Sequence, residues 1–151
     1  MRKTILLLAA ALAFASCRQG SDIPFEEVRN YFFRSDAELP ENPVIDTSGQ
    51  FDALFGAAAL MGRDGRPTVV DFGKEFVIAV VNPVTDCRTE LVPESLRKED
   101  GELVFTYQET IGERQSWAMR PVLLVKVERV YKGEAVRLER RLQVIDQSPS
   151  E

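Results

Sequence analysis

One apolar run constrains the fold more than any other part of this sequence. Residues 76–81 read Phe-Val-Ile-Ala-Val-Val and are followed by Asn82 and Pro83. Such a run, rich in β-branched and aromatic residues, is typical of a strand that is buried on both faces. A buried helix segment is the alternative, but helices usually need about ten or more residues, and this run stops before a proline. We therefore predict a central strand around which the chain packs.

A short helix is predicted before this strand. Thr47 followed by Gln50 is a capping-box pattern at a helix start. The next apolar residues fall on one helical face, and Gly56 is expected to end the helix in the left-handed conformation, with an irregular continuation over residues 57–61. The apolar face consists of Phe51, Leu54 and Phe55. The helix is expected to cover one face of the sheet.

The segments on either side of this helix have simpler patterns. Residues 25–33 fit a helix in part and a strand in part, so both remain open, and residues 34–43, with two prolines, are expected to be a loop. The letters Asp-Phe-Gly at 71–73 also occur in kinases, but the other kinase motifs are missing, and we interpret them as a turn before the central strand.

After Pro83 the pattern is that of β-structure. Residues 87–98 are predicted to form a hairpin with residues 102–108 through Asp100-Gly101, and Pro93 marks an edge position. A long strand is expected over residues 121–131, turning at residues 132–134 into a strand that contains Val136 to Val144. We predict an α+β fold, mostly antiparallel β, as a sheet or small sandwich or barrel with one short helix packed on it.

The N-terminus has the features of a lipoprotein signal. Arg2 and Lys3 precede a mostly apolar stretch over residues 4–15, which is too short for a membrane span of about twenty residues. Ala15-Ser16-Cys17 then resembles the bacterial lipobox, in which the cysteine is lipidated, although Phe14 replaces the usual Leu. An ordinary signal peptide with an incidental cysteine is the alternative. Arg18 in place of Asp resembles the sorting signal for the outer membrane.

These features divide the chain into four parts. Residues 1–16 are the expected signal peptide, residues 17–24 a lipidated tether, residues 25–147 one globular domain and residues 148–151 a tail. Once Cys17 is lipidated, Cys87 is the remaining cysteine; a small buried residue is the usual role of such a thiol, and a reactive thiol is the alternative.

Composition excludes several kinds of chemistry. The sequence contains no histidine, which removes Ser-His-Asp and Cys-His catalysis and the commonest zinc ligand. The Asp-Gly pairs lack the ligand spacing of a calcium loop. The net charge of −5 without a basic cluster argues against nucleic acid as a partner. We predict a protein that is not an enzyme and that uses no metal or cofactor.

Two segments carry the candidate binding residues. One leaves the central strand, and the other, over residues 112–117, is expected to be a loop before the last strands. Trp and Arg are enriched at binding hot spots. In small domains, however, a single Trp more often packs in the core, which leaves Arg114 as a solvated charge. The candidate binding residues are Thr85, Asp86, Arg88, Arg114, Gln115 and Trp117.

Three stretches together resemble one family. They are residues 71–81 (Asp-Phe-Gly-Lys-Glu-Phe-Val-Ile-Ala-Val-Val), the Asp100-Gly101 hairpin and residues 115–126 around Arg120-Pro121. In their order they resemble the C-terminal domain of the PrcB family, and also uncharacterised lipoproteins of Bacteroides-type bacteria. That family tends to have a Pro-Thr-Gly-Gly-Tyr-like loop after the buried strand, whereas residues 83–87 here read Pro-Val-Thr-Asp-Cys.

The resemblance also implies a function. The family is named after a lipoprotein subunit of a secreted protease complex, which implies a non-catalytic, protein-binding role. We therefore expect an outer-membrane lipoprotein of the cell envelope, held to the membrane by lipid on Cys17, whose partner is a protein such as a protease. A small-molecule or glycan-binding lipoprotein is the alternative, with Trp117 and Tyr107 or Tyr131 as an aromatic platform.

Overall fold

The computed structural model describes residues 21–58, 65–133 and 135–145. Within those ranges the chain is rich in strands and has one α-helix, α1 (Ser48–Leu54), and a single 3-10 turn, Arg129–Tyr131. The strands are β1 (Ser21–Asp22), β2 (Phe25–Glu27), β3 (Tyr31–Phe33), β4 (Val44–Ile45), β5 (Phe55–Ala57), β6 (Glu75–Val81), β7 (Thr85–Glu99), β8 (Glu102–Met119), β9 (Val122–Glu128) and β10 (Ala135–Val144).

The strands form two larger sheets and one small one. The first sheet has the order β1-β7-β8-β10, the second has the order β2-β9-β6-β4, and β3 pairs with β5. All pairs are antiparallel except β8 with β10. This is the predicted α+β fold with one short helix, built as two packed sheets and not as a closed barrel.

Strand β6 is the predicted central strand, and both of its faces are buried. It pairs with β9 along its whole length and with β4 on its other side. Its side chains alternate between two clusters. Phe76, Ile78 and Val80 belong to the first core, whereas Val77 and Ala79 belong to the second. A continuous apolar run was therefore required, because neither face of β6 meets water.

The first core lies between the two larger sheets. The second sheet contributes alternate residues of β6 and β9, and the first sheet contributes inward-facing residues of β7 and β8. Full burial of one such side chain contributes about 1.5–3 kcal/mol. Its members are Ile23, Phe76, Ile78, Val80, Leu96, Leu103, Phe105, Tyr107, Leu123, Val125 and Val127.

The second core lies on the other face of the second sheet, under α1. Phe51 of the helix contacts the rings of Tyr31, Phe55 and Phe72 at centroid distances of 4.9, 5.1 and 5.6 Å. Together with Val77 and Ala79 these aromatic side chains confirm that the helix covers one face of the sheet. The buried members are Val28, Phe33, Ile45, Phe51, Phe55, Val77, Ala79 and Leu124.

The helix begins as predicted and ends differently. The Gln50 backbone N–H donates to Thr47 Oγ1 at 3.2 Å, and Gln50 Oε1 accepts from the Asp46 backbone N–H at 3.3 Å. The prediction that Gly56 ends the helix in a left-handed conformation was wrong, because the chain becomes extended at Phe55 and enters β5. Most of the expected continuation over residues 57–61 lies outside the described residues.

The N-terminal part of the chain forms strands where the sequence allowed either a helix or a strand. Residues 25–33 form two strands, β2 and β3, and not a helix. The tether is shorter than expected, because β1 pairs with β7 and Ile23 is buried in the first core. The loop predicted over residues 34–43 is confirmed, and so is the turn at residues 71–73, where the Gly73 N–H donates to the Asp71 carboxylate.

In the second half, the predicted hairpin is confirmed, whereas the predicted return of the chain along β9 is wrong. Strands β7 and β8 pair through the Asp100-Gly101 turn, and both central residues have positive φ, 49° and 81°. Residues 132–134, however, do not turn the chain back along β9. Strand β9 ends at Glu128, and after the 3-10 turn the chain crosses to the first sheet, where β10 pairs in parallel with β8.

Candidate protein-binding surface

The two candidate binding segments lie side by side on one ribbon. Strands β6 and β9 are paired in the second sheet, and they continue through residues 82–84 and 120–121 into β7 and β8, which are paired in the first sheet. Thr85 lies opposite Met119 and Cys87 opposite Arg114. We call the six candidate residues on this part of the ribbon the ribbon patch: Thr85, Asp86, Arg88, Arg114, Gln115 and Trp117.

The loop predicted over residues 112–117 was wrong, because these residues belong to β8. Their polar sequence reflects exposure of this part of the ribbon and not the absence of strand pairing. The pairing is irregular, with register shifts between Thr85 and Cys87 and between Cys87 and Thr89. Bulges of this kind bend a strand and redirect its side chains. Because of these bulges, the faces on which the side chains of this end of the ribbon lie do not follow from the alternation of the sequence.

An ion pair joins the two strands of the ribbon patch. Arg114 Nε donates to Asp86 Oδ2 at 2.6 Å. This hydrogen bond, reinforced by the charge of Arg114, holds the pKa of the Asp86 carboxyl below its ordinary value and raises the pKa of Arg114. Arg114 is 81% exposed, so it retains donors for a further acceptor in addition to Asp86.

Trp117 lies on the surface of the ribbon patch. Its relative exposure is 63%, which excludes the more common situation in which a single Trp fills the core. An exposed Trp presents a large rigid apolar area, and its indole N–H can donate one hydrogen bond. Among the candidate residues, Trp117 is therefore the one with the most apolar surface to bury against a partner.

The other members of the patch have different surroundings. The Gln115 Oε1 atom is buried and has no hydrogen-bond partner within the part of the chain that the structure describes. Thr85 Oγ1 accepts a hydrogen bond from the Cys87 N–H at 3.1 Å, which gives it a local structural role. Arg88 is exposed and lines a groove together with Glu90, Thr110, Gly112, Glu113 and Ile145. The expected lipidation site, Cys17, lies outside the described residues.

A buried polar group beside the ribbon patch was missed by sequence reasoning. Glu109 is only 5% exposed, and its carboxylate accepts from Asn82 Nδ2 at 2.8 Å and from Arg140 Nη1 at 3.2 Å. Glu109 continues the inward alternation of Leu103, Phe105 and Tyr107, and that pattern could have identified it. The carboxylate joins the bend after β6, the strand β8 and the edge strand β10.

The aromatic platform proposed for a glycan is not formed. Tyr107 is 6% exposed and stacks on Phe105, and its burial, followed by the nearby charge of Glu109, raises the pKa of its hydroxyl. Tyr131 packs against the first core. Neither tyrosine therefore offers an exposed ring beside Trp117. Cys87, in turn, is half-buried in the ribbon, neither fully in the core nor fully exposed.

Other kinds of site find no support within the described ranges. No group of three or more His, Cys, Asp or Glu side chains in residues 21–58, 65–133 and 135–145 is arranged to hold a metal ion. In the same part of the chain, no helix combines the length and the apolar character that crossing a bilayer requires.

Comparisons with known proteins do not place the chain in a family. Neither the protein-family models, nor the curated proteins, nor the solved structures contain a match to it. The likeness to the PrcB family, over roughly residues 44–132, therefore stays a prediction, and the function is proposed from the fold and the ribbon patch.

Proposed function

We propose that this chain is a non-catalytic, lipid-anchored domain of the cell envelope that binds another protein through the ribbon patch. The exposure of Trp117 is the observation that carries the proposal. Burial of a Trp at the centre of an interface is a common source of binding energy, and Arg is enriched at the same positions. Asp86 and Arg114 add a charged pair from two strands that the sheet already holds in place.

The structure around the patch favours a preorganised surface. Both strands of the ribbon are anchored in the second sheet, and Arg120 Nη1 donates to the Asn82 backbone carbonyl at 3.2 Å where the strands bend. The Arg120 guanidinium also lies over the Phe33 ring at 5.3 Å. A surface that is fixed before binding loses less conformational entropy on association. This supports association with a protein partner, such as a protease of the envelope.

The anchor is tested separately from the binding surface. With Cys17→Ser, the lipid cannot be attached, and we expect the protein to move from the membrane fraction to the soluble envelope fraction. Cys87→Ser is the matched control, because it removes the other cysteine and leaves the lipobox intact. Retention of the Cys17→Ser protein in the membrane fraction, at the level of the control, would contradict the lipid anchor.

Partner binding is tested by capture from a detergent-solubilised envelope extract, with the full chain as bait. Arg114→Ala with Trp117→Ala should reduce capture of a specific protein by about thirtyfold or more, as expected when a hot spot worth at least about 2 kcal/mol is lost. Arg34→Ala with Val130→Ala is the matched control, since it removes another ion-paired Arg and another exposed apolar side chain, 78% exposed for Val130.

The fold of the test variant is checked in the same experiment. Because both replaced side chains are mostly exposed, far-UV circular dichroism should be unchanged and stability should shift by no more than about 0.5 kcal/mol per site. Equal capture by the wild type and the Arg114/Trp117 variant would refute the ribbon patch as the binding surface. Fluorescence of Trp117 that responds to a panel of glycans, and not to any captured protein, would favour the small-ligand alternative.

A further inference from the structure

The two edges of the first sheet differ in how they are protected. The outer edge of β7 is covered in part by β1, contains Pro93 and is interrupted by three register shifts, all of which hinder pairing with another strand. Strand β10 forms the opposite edge. It pairs with β8 over ten consecutive residues without a shift, and it contains neither Pro nor Gly. Among the described residues, no strand pairs with its outer side.

One face of β10 exposes apolar side chains. Val136 packs against the first core, and by strand alternation Leu138, Leu142 and Val144 lie on that same face. Their relative exposures are 37%, 52% and 63%, because the second sheet does not cover this part of the first. A long, regular edge strand with exposed apolar residues is the type of edge that pairs with another chain.

The charges of β10 are largely neutralised by its own chain. Arg137, Arg140 and Arg141 lie within 3.4 Å of the carboxylates of Glu102, Glu109 and Glu94, respectively. These glutamates belong to β7 and β8. The edge is therefore less cationic than its sequence suggests, and a second strand of the same composition can approach it without strong repulsion.

We propose that β10 pairs antiparallel with β10 of a second copy of this chain, with the two-fold axis at Arg140. With the axis at Arg140, the numbers of two residues that lie opposite each other sum to 280. The side chains of such a pair lie on the same face of the sheet. This register places Leu138 opposite Leu142 and Glu139 opposite Arg141 of the second copy. It also places Val136 opposite Val144. The two Arg140 side chains meet at the axis, where each is held by its own Glu109.

Neighbouring registers are much less favourable. Opposite side chains must lie on the same face, so the two-fold axis can lie only at a residue and not between two residues. An axis at Glu139 would bring two Glu139 side chains together and place Arg137 opposite Arg141. An axis at Arg141 would place Arg140 opposite Leu142. Like charges directly opposite each other destabilise a strand pair, whereas apolar and opposite-charge pairs contribute roughly 0.2–1 kcal/mol each. The register at Arg140 has one like-charge contact, between the two Arg140 side chains, and each of these is paired with its own Glu109. It also has the most apolar and opposite-charge pairs of the three registers, and these pairs select it.

The proposed dimer joins the two first sheets into one continuous sheet, and it leaves the ribbon patch out of the strand pairing. It is thus independent of the function proposed above.

Disulfide cross-linking tests the register directly. The purified full chain, in mild detergent and with Cys17→Ser and Cys87→Ser, is oxidised after single cysteines are introduced on β10. Directly opposite residues in an antiparallel pair have Cα atoms about 4.5–5.5 Å apart, within the range that a disulfide spans. Arg140→Cys should therefore cross-link to itself. Leu138→Cys should not, because Leu138 of the second copy lies about 13 Å away along the strand.

A mixture gives the decisive comparison. Leu138→Cys chains mixed with Leu142→Cys chains should cross-link at least about fivefold more than either alone, since these positions are opposite each other. The mixture also remains informative if Arg140→Cys disturbs Glu109 and the fold. Equal cross-linking of all single variants and mixtures would indicate random collision and would overturn the proposal. Absence of any cross-link in folded protein would overturn it as well.

Sedimentation provides a second measurement. The wild-type protein should have twice the mass of its monomer, and Leu142→Lys should weaken association by about tenfold or more. Val130→Lys, at an even more exposed apolar position outside β10, should leave it unchanged. A monomeric wild type would contradict the proposal. So would a dimer that is insensitive to Leu142→Lys, or co-purification of a different protein whose binding depends on Leu142.

Discussion

Arg114 and Asp86 form the best-defined contact of the ribbon patch at the scale of single residues. Their side chains come from β8 and β7, and the 2.6 Å bond between them fixes the position of the guanidinium that a partner would meet. Both groups are exposed, so solvent and salt screen the attraction between them. The pair therefore matters more for orientation than for the stability of the fold.

The pKa of Asp86 reports on this contact. In the wild type it should lie below the ordinary value of 3.8, because the hydrogen bond from Arg114 stabilises the carboxylate. Arg114→Gln should raise the pKa of Asp86 toward 3.8, measured by NMR titration of the side-chain carboxyl. Arg97→Gln is the control. Arg97 lies on β7, as Asp86 does, but it pairs with Asp22, so its replacement should leave the pKa of Asp86 unchanged.

The sign of the pH dependence follows from the same shift. A carboxyl with a lowered pKa in the folded state stabilises the fold above its unfolded pKa, and this contribution is lost as the pH falls below about 3.8 toward the folded pKa. The wild type should therefore lose slightly more stability than Arg114→Gln over that acid interval. An Asp86 pKa that is identical in the two proteins would contradict the ion pair.

Sequence reasoning chose the six residues of the patch but did not predict how they are arranged relative to one another. Trp and Arg were singled out by residue type, yet the exposure of Trp117 depends on how far the second sheet extends, which no local pattern specifies. Asp86 and Arg114 are far apart in sequence and meet only because β7 and β8 pair beyond the predicted hairpin. Glu109 was missed because the second arm of the predicted hairpin ended at residue 108, one residue before it.

At the scale of elements, local interactions were predictable and tertiary ones were not. The start of α1 depends on Thr47 and Gln50, which lie three residues apart, and the pattern was sufficient. Its end depends on β3, which pairs with β5 and makes residues 55–57 extended. Gly56 has a different role from the one predicted, because a Cβ there would lie 2.5 Å from the Phe32 ring. The glycine permits close approach and not a left-handed turn.

The same distinction explains the strands. The hairpin of β7 and β8 is specified by Asp100-Gly101, since a two-residue turn with positive φ at both positions brings its own flanks together. Alternation in β10 correctly indicates a strand with one apolar face. It does not identify the neighbouring strand, because Leu138 and Leu142 would suit β9 or β8 equally well. The parallel pairing with β8 follows from the crossing of the chain between sheets after Glu128.

At the scale of the whole molecule, β6 makes the two cores one structure. Its alternate side chains belong to opposite clusters, and β9 repeats the arrangement, with Leu123 and Val125 in the first core and Leu124 in the second. Loss of either core would expose one face of both strands to water. The two cores should therefore stabilise each other, and the domain should unfold as one cooperative unit.

Two core substitutions test this cooperativity. Ile78→Ala affects the first core and Phe51→Ala the second, and each removes a buried side chain at a cost of about 2–5 kcal/mol. Each should lower the single melting temperature by roughly 5–15 °C for a chain of this length. Val69→Ala, at a position that is 79% exposed, is the control and should change it little.

The number of transitions decides the interpretation. Far-UV circular dichroism follows the strands and near-UV circular dichroism follows the packed aromatic rings, while Trp117, being exposed, reports poorly on either core. In every variant the two signals should change together, and the calorimetric and van't Hoff enthalpies should agree. If Phe51→Ala instead produced an early loss of aromatic signal with the strands intact, α1 and the second core would be a separate unit. The strands of the ribbon patch continue from β6 and β9 into the first sheet. In that case the ribbon patch would depend on the first core alone.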